Sequence, residues 1–273
     1  MRVTVLGSGS SGNATLVEAD GVRVLVDAGF TGRDLERRLR AADVAPESIA
    51  GIVITHDHGD HTRGMGILAR RFGLPLYLTP ATRNACRKLL NGKEDVRSYD
   101  SAQPFRIGPI QVDPFLTVHD AVDPVAVTLR HVDSGLKLGI ATDLGRPTAT
   151  VRHALAGCDL LILEANHDEA RLWNGPYPWS VKQRIASSHG HLSNRAAAQL
   201  ARELYHPGLA AVVLAHLSTH CNDGELARDV VGEELAALRY EGTLQVARQD
   251  APLEPIELET VSRRSASEQL SLL

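Results

Sequence analysis

Three imidazoles and two carboxylates crowd into seven residues, Thr55-His56-Asp57-His58-Gly59-Asp60-His61. Neutral imidazole nitrogen and carboxylate oxygen together suit zinc, manganese or iron. Gly51-Ile52-Val53-Ile54 just before the run reads as a short apolar strand. The ligating types therefore sit in a loop at a strand end, where turns can aim several side chains at one point. A solvated polar loop is the plain alternative, and this density of ligand types in one run disfavours it. Three more candidates share that address. His119 follows the apolar run 112–118, Asp143 follows Leu138-Gly139-Ile140-Ala141, and His216 follows Ala211-Val212-Val213-Leu214. Any one of them alone is more often structural than ligating. Together they gather where α/β sites collect, at the carboxyl ends of strands.

Other polar segments carry two readings each. Gly7-Ser8-Gly9-Ser10-Ser11-Gly12-Asn13 is glycine-rich, but no helix follows it, which rejects a dinucleotide fingerprint. It is either a tight turn or a rim loop that offers backbone N–H groups, with Ser10, Ser11 and Asn13, to a phosphate. Arg63, Arg70, Arg71, Lys182 and Arg184 are either solvated helix faces or contacts to a phosphate backbone. Trp173, Tyr177 and Trp179 either stack on bases or pack a loop lid.

The elements that must position these groups are legible in the rest of the chain. Asp20-Gly21 between two apolar runs, and Asp133-Ser134-Gly135 between 125–130 and 137–141, signal hairpins. Helical periodicity runs over 34–42, 66–72, 81–90, 148–155, 194–205 and 225–238, with starts at Thr79-Pro80 and Ser193-Asn194. Hairpins in both halves exclude one parallel sheet and favour two mixed sheets, back to back, with helices outside. The expected organisation is one domain over 1–261 and a polar, disordered tail over 262–273. With 43% hydrophobic but only 4% aromatic residues, the core must be aliphatic. A net charge of −4 excludes any bulk attraction to nucleic acid or anionic membrane, though not a local basic groove. No apolar run is long enough for a membrane span, and the start reads as a strand rather than a signal peptide. Three scattered cysteines read as reduced thiols, so a cytoplasmic location is expected.

On these motifs the chain resembles the metallo-β-lactamase-fold hydrolases, whose HxHxDH signature is present in full; the resemblance spans residues 3 to about 247. It implies an α/β, four-layer αββα sandwich. It also implies two divalent metal ions, zinc or manganese with iron also admissible. His56, His58 and His119 would hold one ion, Asp60, His61 and His216 the other, with Asp143 bridging. Such a pair can share a hydroxide as nucleophile. Asp27 resembles the aspartate that orients a ligand imidazole, with a strand-end cap as the alternative.

The ordered segments GSGSSGN, THDHGDH, EANHD, GPYPW, GHLSN and LAHLS resemble the YycJ/WalJ-like branch, which is related to RNase Z and associated with 5′-to-3′ exonuclease activity on DNA. Glu164 and His191 are similar to that group's proton relay, in which a carboxylate orients an imidazole that protonates a leaving oxygen. A helix-capping neighbourhood is the alternative for His191. Asp60, Glu164 and His191 are thus the expected catalytic residues, and Ser10, Ser11, Asn13, Lys182 and Arg184 the substrate contacts. His167 and His189 read as hydrogen-bonding partners. His220 departs from the branch pattern and is not assigned to metal; Asp57 has no assigned slot. No long inserted arm of the kind RNase Z uses on tRNA is present. The expected substrate is single-stranded DNA, or RNA, and a homo-oligomer is left open. A thioester, lactone or small-phosphodiester hydrolase, or a non-catalytic metal-binding regulator, are the competing functions.

Overall fold

The computed structural model describes residues 1–258; the expected tail over 262–273 lies outside the described residues. Strands β1 (Arg2–Gly7), β2 (Ala14–Ala19) and β3 (Val22–Val26) form an antiparallel meander. β3 then pairs in parallel with β4 (Ile49–Val53), followed by β5 (Leu76–Leu78) and β6 (Val96–Ser98). The second sheet repeats the plan. β7 (Phe105–Ile107), β8 (Ile110–Leu116), β9 (Val125–His131) and β10 (Lys137–Ala141) are antiparallel. β10, β11 (Leu160–Glu164), β12 (Ala211–Ala215) and β13 (Thr243–Val246) are parallel. β14 (Ile256–Glu257) closes the first sheet against β1, giving seven described strands in each sheet.

Both hairpin turns form where expected. Asp20 and Gly21 both take positive φ (47° and 77°), the geometry a two-residue turn between β2 and β3 requires. Gly135 (φ 76°) turns the chain between β9 and β10.

Alternate residues of the central strands feed different cores, because both faces of each sheet are covered. Val24 and Val26 point between the sheets with Val53, Val127, Ile140, Ile162 and Val213. Leu25, Ile52 and Ile54 point outward under helices α1 (Gly32–Ala41) and α3 (Met65–Phe72). Leu161, Leu163, Val212 and Leu214 point under α5 (Ala149–Leu155), α8 (Asn194–Leu204) and α9 (Gly224–Ala237). The result is the αββα sandwich. Between the sheets, Tyr77 and Tyr99 stack on Phe105 at 5.1–5.2 Å.

Three stretches of the chain differ from expectation. The helix over 81–90 is α4 (Pro80–Ala85) followed by a 3-10 turn over Arg87–Leu89. Two short helices, α6 (Glu169–Asn174) and α7 (Trp179–Ile185), occupy a stretch in which Gly175, Pro176 and Pro178 break any long period. A single turn, α2 (Gly59–Thr62), lies inside the metal-ligand loop and carries Asp60 and His61.

Candidate metal centre

Every candidate ligand sits just past the carboxyl end of a strand or on the loop that follows it. Asp27 follows β3, the His56–His61 loop follows β4, His119 follows β8, Asp143 follows β10 and His216 follows β12. Asp27, Asp143 and His216 adopt left-handed backbone (φ 61°, 57° and 55°). Such strain in residues other than glycine collects at functional sites, where it turns the side chain back over the sheet edge. Gly29 lets two of these loops touch. A Cβ there would overlap the Asp60 carbonyl, and Asn13 N–H donates to the same carbonyl at 2.8 Å.

The side chains converge. Ligand atoms of His56, His58, His119 and Asp143 all lie within 4.8 Å of one another, as do those of Asp60, His61 and His216. Asp143 spans the two groups, with Oδ1 3.5 Å from His119 Nε2 and Oδ2 2.9 Å from His61 Nε2. Each of the five rings has one nitrogen held from behind. His61 Nδ1 meets Asp27 Oδ2 (2.7 Å), His56 Nδ1 meets Thr55 Oγ1 (3.0 Å), and His216 Nδ1 meets Glu164 Oε1 (2.9 Å). His119 Nδ1 meets the Gly190 carbonyl (3.0 Å) and His58 Nε2 the Asp120 carbonyl (3.2 Å). The second nitrogen of each ring points inward. His56 Nε2 is buried there with no hydrogen-bond partner, and among the described residues the only group close to the buried Asp143 Oδ2 is His61 Nε2, a contact without hydrogen-bond alignment. Buried polar atoms left unpaired at a focus of ligating types fit a divalent cation, and rings braced by an outer acceptor are how proteins orient metal ligands.

The electrostatics make the same demand. Burial pulls His56 well below the ordinary imidazole range, and it lowers His119 too. Burial opposes charge on His61 as well, but Asp27 and Asp143 outweigh it and hold that ring well above its ordinary value. Asp143, Asp60 and Glu164 do the same for His216. Burial would raise Asp143, yet His216 and His61 keep it well below the carboxylate range. Buried carboxylates here draw compensating positive charge onto neighbouring rings, and a divalent ion answers that need while freeing the ring nitrogens.

Glu164 and His191 stand next to this centre. Glu164 is fully buried. Its Oε1 accepts from His191 Nδ1 (2.8 Å) and His216 Nδ1 (2.9 Å), and its Oε2 from the Leu144 and Leu192 N–H groups (2.9 and 3.0 Å). Burial works against ionisation, but the adjacent His191 and His216 hold this carboxyl at about 2. The contact with His191 has the geometry of the expected relay, a carboxylate orienting the imidazole. Four donors hold the carboxylate behind the two rings, where it positions them. His191 has its pKa raised because Glu164 and Asp143 outweigh its burial. With Nδ1 committed to Glu164, its Nε2 is the atom left for acid–base work.

The expected substrate contacts fare less well. Asn13 is buried, with Oδ1 accepting from Ser8 Oγ (2.7 Å) and the Gly9 N–H (3.0 Å). Its Nδ2 lies 3.3 Å from Asp60 Oδ2 and 3.1 Å from His61 Nε2, so it braces the ligand loop rather than facing solvent. Ser11 N–H is taken by Gln249 Oε1, Gly12 N–H by the Gly9 carbonyl and Asn13 N–H by Asp60. These three amides are taken by Gln249, by Asp60 and by the loop itself, and do not form the expected phosphate cradle; Ser10 and Ser11 sit exposed on its rim. Lys182 Nζ is bound to the Trp173 carbonyl (2.8 Å), and Arg184 is paired with Asp120. His167, His189 and His220 join no potential metal group among the described residues, and Asp57 Oδ1 accepts from the Val122 N–H (2.9 Å). Sequence reasoning passed over Thr55, whose hydroxyl links Asp27 to His56. Its position between the strand and the first histidine was the available signal.

Comparison with known proteins gives the family. A β-lactamase superfamily domain model matches residues 22–217. An exodeoxyribonuclease YycJ of Bacillus anthracis is 35% identical over 239 residues, covering 86% of this chain and 89% of that protein. An exodeoxyribonuclease WalJ of Streptococcus pneumoniae is 35% identical over 240 residues, covering 86% and 88%. Among solved structures, the metallo-β-lactamase fold protein YhfI of Bacillus subtilis superposes with a TM-score of 0.69 at 22% identity, over 93% of this chain and 99% of that one. A domain match across most of the chain, joined to 35% identity over 86% of it, places the protein in the metallo-β-lactamase-fold hydrolase family, in its YycJ/WalJ-like branch.

Proposed function

We propose that the chain is a nuclease dependent on two divalent metal ions, hydrolysing phosphodiester bonds of single-stranded DNA from the 5′ end. The observation that carries this reading is the Glu164 carboxylate hydrogen-bonded to both His191 and His216. It ties a proton donor to the rim of the ligand cluster, as cleavage of a phosphodiester with a poor leaving group requires. The 35% identical relatives named as exodeoxyribonucleases support the same class. His56, His58, His119 and Asp143 would hold one ion and Asp60, His61 and His216 the other, with Asp143 shared. When bound, such a pair supplies Lewis acidity and an activated water.

The chain's own part is positioning and proton transfer. Asp27, Thr55 and the Gly190 carbonyl hold three of the rings from behind. As the water oxygen bonds to phosphorus and releases a proton to solvent, the P–O bond to the leaving group breaks and His191 Nε2 delivers its proton to the departing oxygen. Glu164 keeps the resulting neutral ring in place until solvent reprotonates it. Among the described residues no helix is long and apolar enough to cross a membrane.

Degradation of end-labelled single-stranded DNA with Mn²⁺ or Zn²⁺ tests the reading. His191→Ala is expected to lower kcat about 10²- to 10⁴-fold while metal content stays unchanged. His58→Ala is expected to lose metal and activity together. Wild-type protein yielding no more product than His58→Ala overturns the proposal.

A further inference from the structure

Both tryptophans of the chain, Trp173 and Trp179, lie on the α6–α7 hairpin and are left 43% and 64% exposed. Their rings meet at 5.3 Å with a 40° tilt, a wedge open to solvent. In a molecule with 4% aromatic residues and a well-filled aliphatic core, leaving the two largest side chains outside points to a partner. The hairpin packs lightly, since α7 has no fully buried residue.

Its far end, by contrast, is built into the reacting centre. His191 N–H donates to the Ile185 carbonyl (3.0 Å), and Gly190 is pressed against the end of α7 so closely that a Cβ would overlap the Arg184 and Ile185 carbonyls. Arg184 pairs with Asp120, the neighbour of His119. On the opposite side Tyr177 packs edge-on against His220 at 5.4 Å, four residues beyond His216. At the helical rise, Trp179 stands on the order of 10 Å from Ile185. The basic side chains of the segment are engaged within the protein, Arg171 with Asp223, Lys182 with the Trp173 carbonyl and Arg184 with Asp120, so the two indole rings are the groups it presents outward.

We propose that Trp173 and Trp179 are a stacking platform for bases of the strand whose phosphate lies at the metal centre. The proposal rests on the nuclease reading and names its substrate-gripping element. Base–aromatic stacking tolerates any sequence, as an enzyme moving along a strand needs. The platform supplies the grip that the glycine-rich loop, with three of its amides already taken, does not.

Because the chain has no other tryptophan, tryptophan emission of the whole metal-loaded protein, excited selectively over its five tyrosines, reports on this pair. Phosphorothioate oligothymidylate is expected to quench it, and an abasic oligomer of equal length and charge is not. Trp179→Ala is expected to raise KM for single-stranded DNA roughly 5- to 150-fold, the equivalent of one stacked base. Its kcat and its turnover of methyl p-nitrophenyl phosphate stay unchanged, and Trp179→Phe recovers most of the loss. Equal quenching by the abasic oligomer overturns the platform. So does a Trp173→Ala/Trp179→Ala protein with wild-type KM, or an emission change that follows dimerisation without DNA, which assigns the pair to a second copy. Base-dependent quenching without cleavage keeps the platform and removes the nuclease reading; cleavage with an unaltered KM in the double variant does the reverse.

Discussion

Asp27 never faces the reacting centre, yet two ligands depend on it. Its Oδ2 orients His61 at 2.7 Å, and its oxygens accept the Thr55 N–H and hydroxyl (2.9–3.0 Å), with Thr55 in turn holding His56. The two readings left open by its strand-end position are both realised, since the same carboxylate caps the end of β4 and braces a ring. Asp27→Asn keeps the shape but weakens the hold on both imidazoles. Metal affinity is expected to fall about 10- to 100-fold, as for other outer partners of ligand histidines, measured by competition with a chromogenic chelator. Unchanged affinity would leave Asp27 as a cap and nothing more.

At the scale of elements, α1 shows how the loops beneath the centre are held. Thr31 caps it by accepting the Asp34 N–H, and Arg38 crosses from it into the core. The Arg38 guanidinium is buried over the Phe30 ring at 3.8 Å and donates to the Leu6 and Gln249 carbonyls (2.6 and 3.0 Å) and to Asp34 (2.9 Å). This one side chain fastens the helix to the end of β1 and to the segment that engages the glycine-rich loop. Arg38→Ala leaves buried carbonyls unpaired and is expected to cost about 3–5 kcal/mol in urea unfolding. Burial would raise the Asp34 carboxyl, but Arg37 and Arg38 outweigh it and lower its pKa. A carboxyl lowered in the folded state adds stability that is present above its unfolded pKa of about 3.9 and is lost as pH falls through the folded value. Asp34→Asn is therefore expected to flatten the acid limb of the stability–pH curve below about pH 4, read by urea titration at successive pH values. An acid limb as steep as wild type would deny the pair this role. The long amphipathic helices were legible because their period repeats over several turns. α6 and α7 were not, because each is under two turns long between Gly175, Pro176 and Pro178 and buries almost nothing.

Across the whole molecule, four buried or nearly buried carboxylates, Asp27, Asp60, Asp143 and Glu164, meet in one place between the ends of two sheets. Bound cations bring free energy to the folded state alone, about 4 kcal/mol at a thousand times Kd. For a chain of this size a chelator is expected to lower Tm on the order of 10 °C, followed by calorimetry with and without EDTA. Asp143→Asn is expected to start low and respond little; an EDTA-insensitive wild-type Tm would show that the centre contributes nothing to stability. Local chemistry and periodicity were enough to determine the HDHGDH ligand loop, the two glycine turns, the aliphatic sandwich and the strand ends that carry His119, Asp143 and His216, because each is written in neighbouring residues. Only the tertiary structure decided that Glu164 holds His216 as well as His191, that Asn13 and three of the loop amides are taken by protein acceptors, and that both tryptophans stay outside. Those outcomes depend on which distant atoms complete each hydrogen bond, and separations of 47 residues, as between Asn13 and Asp60, or 52, as between Glu164 and His216, leave no trace in local pattern.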